Sequence, residues 1–532
     1  MSLNQVSECN KQRKWLSLID FILCMAIIVV SVVLISALEY VFAVLFICIS
    51  LSGMWVYRSR AGRPYRLMYP ALAAIFSFSV LPLLFTLFMS VTNYTSSNMN
   101  SVEAVTKRLL QEYYVTEVKY DYQVLADGEL YRLKLMRDDE SYLSNQFSLP
   151  PVASQALSLR AGGASLFLPE ADLTKQVMFR RYFASEPLVL PSGQQLTRLD
   201  FSAYGLVAPR YRQLNEGLVL ANGTMLHDVN TLFDNQTEHF LRANMTTGFF
   251  HAIDGQGEFI GPPVTPGFVL LKGADQYAAI ISDPAMLLPL LKVLLWTFMF
   301  ALLSLLGSFL IGLILAQLTL NPLTRFSYFY RGVLLLPWAI PPFVSILSFK
   351  VLLTPHGGEL ANLLTLLFST TPDWANDADS ARFTLVGLSI WLGYPYVMLL
   401  VLASLRRIPS IYYETAAMAG YGPIQRFIHV TFPLVIKPLK PVLVALFAFN
   451  LHNFVLVFLF NQGRPVMLDA FPVAGYSQLL LNYVYSIAFS AEQNYALASA
   501  ITSFGLVLIG LVALGCWRWL NNEINTTRGR RV

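Results

Sequence analysis

Residues 413–433 read Y-E-T-A-A-M-A-G-Y-G-P-I-Q-R-F-I-H-V-T-F-P, an amphipathic and moderately basic stretch between two very apolar runs. Glu414, Ala416 and Ala417 fall in what reads as a short helix. Gly420 and Gly422 then permit a turn, because glycine reaches positive φ without a Cβ clash. Pro423 suits a first helical position, where its missing N–H would have no partner anyway. A second short helix is expected over Ile424–Val430, stopping near Pro433. The stretch is therefore a helix–turn–helix elbow between two membrane spans. A plain cytosolic loop has the same spacing, so spacing alone leaves both readings open.

Outward from the elbow, the chain is built for lipid. Of its 532 residues, 55% are hydrophobic and 13% charged, where a soluble domain carries about 25% charged residues. The apolar residues gather into runs at 16–36, 40–56, 69–90, 286–319, 333–352, 384–405, 442–460 and 496–517. A membrane core needs about 20 apolar residues per helix, and helices pair every backbone group internally. The expected fold is a polytopic α-helical membrane protein of about eight transmembrane helices. The first run does not read as a cleavable signal peptide: it is long, lacks a small-residue cleavage site and is followed at once by a second span.

Lys and Arg set the orientation. Lys11, Arg13 and Lys14 precede span one, and Arg58, Arg60, Arg63 and Arg66 separate spans two and three. Arg406, Arg407, Arg426, Lys437 and Lys440 surround the elbow, and Arg518, Arg528, Arg530 and Arg531 follow span eight. The short loops opposite carry only Arg382 and Arg464. Both termini and the elbow are thus expected in the cytoplasm, and the segment 93–284 on the far side. That segment is long enough for its own core and reads as β-rich. Asp127-Gly128, Asn222-Gly223 and Asp254-Gly255 mark hairpins, and Val102–Tyr114 reads as a helix. With 15 basic and 21 acidic residues it is mildly acidic. The positive excess therefore belongs to the membrane part and implies no nucleic-acid partner. The segment has no cysteine, so it folds without disulfides; Cys9, Cys24, Cys48 and Cys516 are scattered and make no metal spacing.

No Gly-Lys dipeptide supplies a P-loop, no H-E-x-x-H is present, and no nucleophile with a base stands out. Asp20, Glu39, Lys292 and Lys350 read as interfacial or snorkelling residues. Polar and aromatic residues inside spans are more informative. Asn450 and Asn453 share a face of span seven at i, i+3, with Phe449 one turn before Asn453. Span six contains Trp391-Leu392-Gly393-Tyr394-Pro395-Tyr396, where the proline is expected to break the helix and the glycine to let a backbone or ligand approach. Amides beside aromatic faces suit a sugar. Equally, the two asparagines could serve to join neighbouring helices. In span five, Pro337, Pro341 and Pro342 interrupt the helix, as a packed kink or as a gate.

The elbow pattern Glu414-x-Ala416-Ala417-x-x-Gly420, with Val430 and Pro433 following, resembles the EAA loop of ABC-importer permeases. Thr415 and Ala419 depart from it, the latter standing where an aspartate commonly precedes the glycine. The eight-span layout, Thr92-Asn93-Tyr94, Trp391–Tyr396, Phe449-Asn450 with Asn453-Phe454, and Pro472–Tyr476 extend the likeness. Together they resemble the larger permease subunit of the maltose/maltodextrin ABC importers, within the binding-protein-dependent transport system permeases.

The resemblance implies a division into 1–92, a cytosolic tail with spans one to three; 93–284, an immunoglobulin-like periplasmic domain; and 285–532, the permease core with the coupling loop 411–433. It implies sugar contacts at Leu392, Gly393, Tyr396, Phe449, Asn450 and Asn453. ATPase coupling falls to Glu414, Ala416, Ala417, Gly420 and Pro433. The implied partners are a second permease subunit, an ATPase dimer that binds ATP and Mg, a periplasmic maltose-binding protein, maltose or maltodextrin, and lipid. The implied place is the bacterial inner membrane, and this chain itself holds no cofactor and is not an enzyme. Leu446, in place of a small hydroxyl residue, His452, in place of an asparagine, and Asn461-Gln-Gly-Arg-Pro465, in place of an Asn-Gly-Gly-Pro turn, are departures. The alternatives are a permease for another small solute, an ion-coupled transporter, or a membrane-anchored sensor.

Overall fold

A computed structural model describes residues 25–36, 40–138, 140–150, 157–162, 168–183, 188–200, 203–213, 218–219, 225–226, 231–320, 326–355, 357–369, 373–489 and 493–529. The chain divides into two units, one ending at Phe88 and one beginning at Met89. Among the described residues, five helices are long and apolar enough to cross a membrane: Tyr69–Met89, Pro284–Leu320, Ala378–Leu405, Pro423–Phe460 and Tyr495–Gly515. Shorter apolar helices occupy Met25–Ser36, Ala43–Arg58 and Pro342–Leu352, so every expected run carries one. Leu480–Phe489 is a further short apolar helix that hydropathy did not separate.

In the first unit, Tyr57–Tyr69 edge-to-face rings lie 6.1 Å apart. Tyr57 donates to Arg66 O at 3.0 Å across the basic turn.

Prolines decide where the spans bend. Proline removes one ladder hydrogen bond and crowds the carbonyl four residues back. At Pro82 and Pro433 the chain meets this with the same device. A π-turn over Phe76–Val80 or Phe427–Thr431 lets the next residue, Leu81 or Phe432, donate to the carbonyl five residues back. The widened turn relieves the crowded carbonyl. Pro433 therefore does not end the elbow's second helix, contrary to expectation; the chain stays helical from Pro423 to Leu451. Pro395 does not break span six either, since Ala378–Leu405 runs through it. Its cost of one hydrogen bond is contained because span four lies so close. A Cβ on Gly307 would come within 2.2 Å of Ile390 Cδ1, and one on Gly312 within 2.9 Å of Met398 N. Span five is broken, into Ser327–Leu334, Leu336–Ala339 and Pro342–Leu352, with Ile340 extended at ψ 130°.

The external region holds two antiparallel sheets. The larger comprises β1 (Tyr113–Asp127), β2 (Leu130–Arg137), β3 (Glu140–Ser144), β4 (Leu159–Ala161), β5 (Leu188–Val189), β6 (Gln195–Arg198) and β7 (Ala203–Pro209), in the order β4-β3-β2-β1-β7-β6-β5. The smaller comprises β8 (Tyr211–Gln213), β11 (Thr231–Asp234), β12 (His239–Asn244), β13 (Phe249–Ile253) and β14 (Phe259–Val264), in the order β14-β13-β12-β11-β8. A separate pair joins β9 (Leu218–Val219) to β10 (Met225–Leu226); its turn at Asn222-Gly223 lies outside the described residues.

The Asp127 hairpin forms with Asp127 opposite Leu130 and Gly128 at φ +70°. The Gln146 amide and the Arg132 guanidinium hold the Asp127 carboxyl below the usual carboxylate range. The third hairpin forms too, but Gly257 at φ +88°, not Gly255, takes the left-handed position. The helix expected to Tyr114 stops at Leu110, and its Val105 and Leu109 are fully buried in the core of the smaller sheet. Helix Leu173–Tyr182, which the sequence reading missed, covers the larger sheet with Phe179. Its hydrophobic residues are too few for a clear period.

Tyr204 is 1% exposed beneath that helix, and its hydroxyl has no partner among the described residues. An unpaired buried hydroxyl contributes nothing, so Tyr204→Phe is expected to leave stability unchanged or raise it by up to about 1 kcal/mol. Thermal melting of the detergent-purified chain measures this; a lower melting temperature would mean the hydroxyl is bonded.

A short neck ties the sheets to the spans. Asn93 accepts from Leu270 N at 2.6 Å and donates to Phe268 O at 3.2 Å, while Asn98 donates to Gly248 O at 3.0 Å. Gly248 sits at φ +81°, and a Cβ there would lie 2.3 Å from Asn93 Nδ2, so only glycine fits. Tyr94 continues the neck onto span eight: its carbonyl accepts from Ala496 N at 2.9 Å and its ring lies 6.0 Å from that of Tyr495.

Candidate functional site

Two places carry the residues singled out from the sequence. The first is the elbow. Helix Ser410–Met418 ends at Ala419, and Gly420 takes φ +82°. Gly420 N donates to Ala417 O and Tyr421 N to Ala416 O, each at 3.0 Å. These crossed bonds form a Schellman ending, which requires a left-handed residue between the two helical segments. Gly422 N then donates to Gln425 Oε1 at 3.0 Å, and Pro423 opens the next helix as expected. Tyr413 and Thr431 hydroxyls, 3.2 Å apart, hold the two arms together. Ala416 is buried in the bend, whereas Glu414 and Ala417 are exposed. Glu414 has no hydrogen bond or ion pair among the described residues. On the same elbow Ile411, Tyr412, Met418, Ile424 and Ile428 are all more than half exposed. The elbow thus presents exposed apolar side chains together with a carboxylate that has no partner among the described residues. Pro433 lies inside the following helix and contributes to the bend through the π-turn.

The second is the middle of spans six and seven. Helix Phe432–Leu451 ends one turn after Ala448, with His452 as its last cap and Asn453 at φ −75°, ψ 71°. A new helix, Phe454–Phe460, resumes at once. The helix break lies here, not at Pro395. His452 Nδ1 is 3.0 Å from Ala448 O and stitches the break. Flanking it, Asn450 and Asn453 are half-buried, and neither amide side chain has a hydrogen bond among the described residues. Among the described residues neither asparagine ties one helix to another through its side chain. Phe449 is 69% exposed and has no ring contact among the described residues.

Span six is divided in its roles. Tyr396 is partly exposed, its ring 6.2 Å from that of Trp338 at the break in span five. Leu392 packs against the core cluster that also holds Leu456, Val457 and Phe460 of span seven. Gly393 faces span four instead: a Cβ there would lie 2.8 Å from Ser308 Oγ. Ser304, Ser308 and Gly312 repeat every four residues on span four, and Ser308 and Gly312, with Gly307, are among the positions where it meets span six. That spacing of small residues is legible in the sequence and was missed there.

A polar cap closes the outer ends. Arg382 donates to Tyr476 O at 3.0 Å and lies 5.1 Å over the Trp296 ring, which accounts for one of the two cations of the short outer loops. Trp296 Nε1 donates to Ser477 O at 3.2 Å, and Asn461 donates to Ser477 Oγ at 2.8 Å. Lys350, expected to snorkel, donates to Leu459 O at 3.2 Å.

Residues 100–273 match the family described as the maltose transport system permease protein MalF P2 domain. Residues 308–525 match the binding-protein-dependent transport system inner membrane component. The fold and these matches define a multi-pass inner-membrane permease subunit, of a class that works with an ATPase, a binding protein and generally a second permease. The chain is 31% identical over 507 residues to the maltose/maltodextrin transport system permease protein MalF of Yersinia pestis, covering 94% of this chain and 93% of that protein. It is 32% identical over 480 residues to the MalF protein of Escherichia coli K12, covering 90% of each. The chain belongs to the MalF family of permeases. Among solved structures it is similar to a bacterial ABC transporter for alginate import, at 18% identity and a TM-score of 0.40, covering 47% of this chain and 84% of that one.

Proposed function

We propose that this chain is the larger permease subunit of an ABC importer that moves maltose or maltodextrins from the periplasm to the cytoplasm. The observation that carries the reading is the helix break at His452-Asn453, which leaves two amides unpaired beside an exposed aromatic ring. Sugar hydroxyls pair with amides, and the apolar face of a pyranose stacks on a ring. Broken helices at mid-membrane offer such groups to a solute because they free the backbone from the ladder. Leu392, Gly393 and Tyr396 form the span-six side of this path, Gly393 by allowing the close approach of span four.

The elbow is the mechanical input. Residues 93–284 face the periplasm and receive the loaded maltose-binding protein; both termini and the elbow face the cytoplasm. An ATPase dimer binds ATP and Mg and grips the elbow through Glu414 and the apolar residues around it. Ala416, Ala417 and Gly420 hold the bend in shape, and Pro433 couples it to span seven. This chain performs no chemistry of its own. ATPase closure turns the elbow, and spans five to seven, already jointed at Ile340 and Asn453, re-aim the sugar path. The test is co-purification with the second permease and the ATPase, then assay in proteoliposomes. Maltose-loaded binding protein is expected to stimulate ATP hydrolysis and drive labelled maltose uptake; stimulation and uptake by some other solute alone would replace the substrate.

A further inference from the structure

We propose that the hollow at the outer end of span seven is a second saccharide subsite, which a sugar occupies on its way to Asn450 and Asn453. The proposal rests on the permease reading above. The hollow is about 340 Å³, at the small end of the range of ligand pockets, on the order of 300–1,000 Å³. Its lining combines three amides, Gln462, Gln478 and Asn482, with three rings, Phe458, Tyr485 and Phe489. Lipid would not favour three amides, and a protein core would have paired them.

Two of these amides are not accounted for by the fold. Asn482 is 5% exposed and donates to Phe454 O at 3.1 Å, yet its Oδ1 has no partner among the described residues. Gln462 adopts φ +55° just after helix Phe454–Phe460, a left-handed position that glycine takes freely and glutamine does not. A side chain held at such a position, where Gly463 follows immediately, points to use of that side chain. Gln478 is otherwise engaged, accepting from Gly475 N at 2.9 Å. It therefore forms the fixed wall, and the Gln462 amide and Asn482 Oδ1 are the groups without a side-chain partner among the described residues.

The rings give the hollow a direction. Phe454, adjacent to Asn453, stacks on Phe458 at 5.0 Å, and both meet Tyr485, at 5.1 and 5.3 Å. Tyr485 contacts Phe489 at 4.8 Å, Phe489 contacts Tyr495 at 6.2 Å, and Tyr495 contacts Tyr94 at 6.0 Å. A continuous chain of ring contacts, mostly edge-to-face, thus runs from the neck of the external domain, past the hollow, to the asparagines at the break. Pyranose rings can pass along such a line with one apolar face always covered, while amides exchange hydroxyl bonds. A two- or three-sugar chain suits this more than a single sugar does.

The test uses the complete importer in proteoliposomes, with Gln462→Cys in a background whose four native cysteines are serine. A membrane-impermeant maleimide reports access. Millimolar maltotriose is expected to slow labelling about fivefold, the protection given by sugar at about four times its dissociation constant, and sucrose to leave it unchanged. Gln462→Gly, which relieves the left-handed strain and so keeps the fold, is expected to lower maximal maltotriose uptake by about the same factor. Unchanged labelling with normal uptake would overturn the subsite and leave the permease reading intact. Absence of any sugar uptake by the unaltered importer, together with unprotected labelling, would remove both. Labelling blocked in the complex without sugar but open in the isolated chain would make the hollow a subunit interface and overturn the subsite.

Discussion

Glu414→Lys is expected to cut sugar uptake per assembled complex by about tenfold or more, with membrane insertion and external-domain folding unchanged. The separation of effects comes from the geometry. Glu414 is exposed and has no hydrogen bond or ion pair among the described residues, so the fold of this chain does not need its charge. On the coupling role proposed above, an exposed carboxylate with no partner among the described residues, on an elbow whose Ile411, Tyr412, Met418 and Ile424 are also exposed, would meet a cation on another protein. Reversing one partner of a buried interfacial charge pair costs on the order of 2–5 kcal/mol, enough to detach a lever from its motor. Gly420→Val is the companion. No atom lies within 4 Å of the position of its Cβ, so any effect arises from the backbone at φ +82° alone. A β-branched residue there costs about 1–3 kcal/mol, which unwinds the Schellman ending and changes the angle between the arms. Stimulated ATP hydrolysis and uptake are the measurements, with assembly checked by co-purification. Normal uptake in both variants would end the elbow's role in coupling.

The elbow was legible because its signals are local. A glycine at a left-handed position and a proline at a first helical turn are one-dimensional features, and Gly420 and Pro423 took the places expected of them, whereas Gly422 stays extended at φ −68° as the cap of the second helix. The hairpin at Asp127 was legible for the same reason. The fate of the prolines was not. Whether Pro395 or Pro433 breaks a helix depends on what surrounds it: close packing against Gly307 and Gly312 in one case, a π-turn upstream in the other. The break at His452-Asn453 carries no glycine or proline at all. It depends on tertiary packing, which overrides the local preference of a strongly apolar run. Gly393 was read as letting a backbone or a ligand approach, and the three-dimensional arrangement brings span four against it through Ser308. The outer hollow joins residues from 458 to 489 across a loop, so no single window of sequence displays it.

Phe449→Ala and Asn450→Leu are each expected to lower uptake per complex about thirtyfold, the effect of losing roughly 2 kcal/mol at a central contact residue. The argument is one of elimination within this chain. Phe449 is 69% exposed and meets no other ring among the described residues, so truncating it opens no cavity. Asn450 has no side-chain partner among them, and leucine fills a similar volume on a face already apolar at Leu446 and Phe447. Neither change touches His452, whose contact with Ala448 O stitches the break. Lost uptake would therefore have to come from a solute or from a neighbouring subunit. Those two are separable: loss through a subunit contact lowers the yield of assembled complex, whereas loss of a solute contact leaves the yield intact and lowers the rate. The rate effect should also depend on the sugar, because a removed ring face or amide matters only to solutes that used it. Equal loss for every transported solute, or loss of assembly with unchanged rate per complex, would place this face in the subunit interface and out of the sugar path.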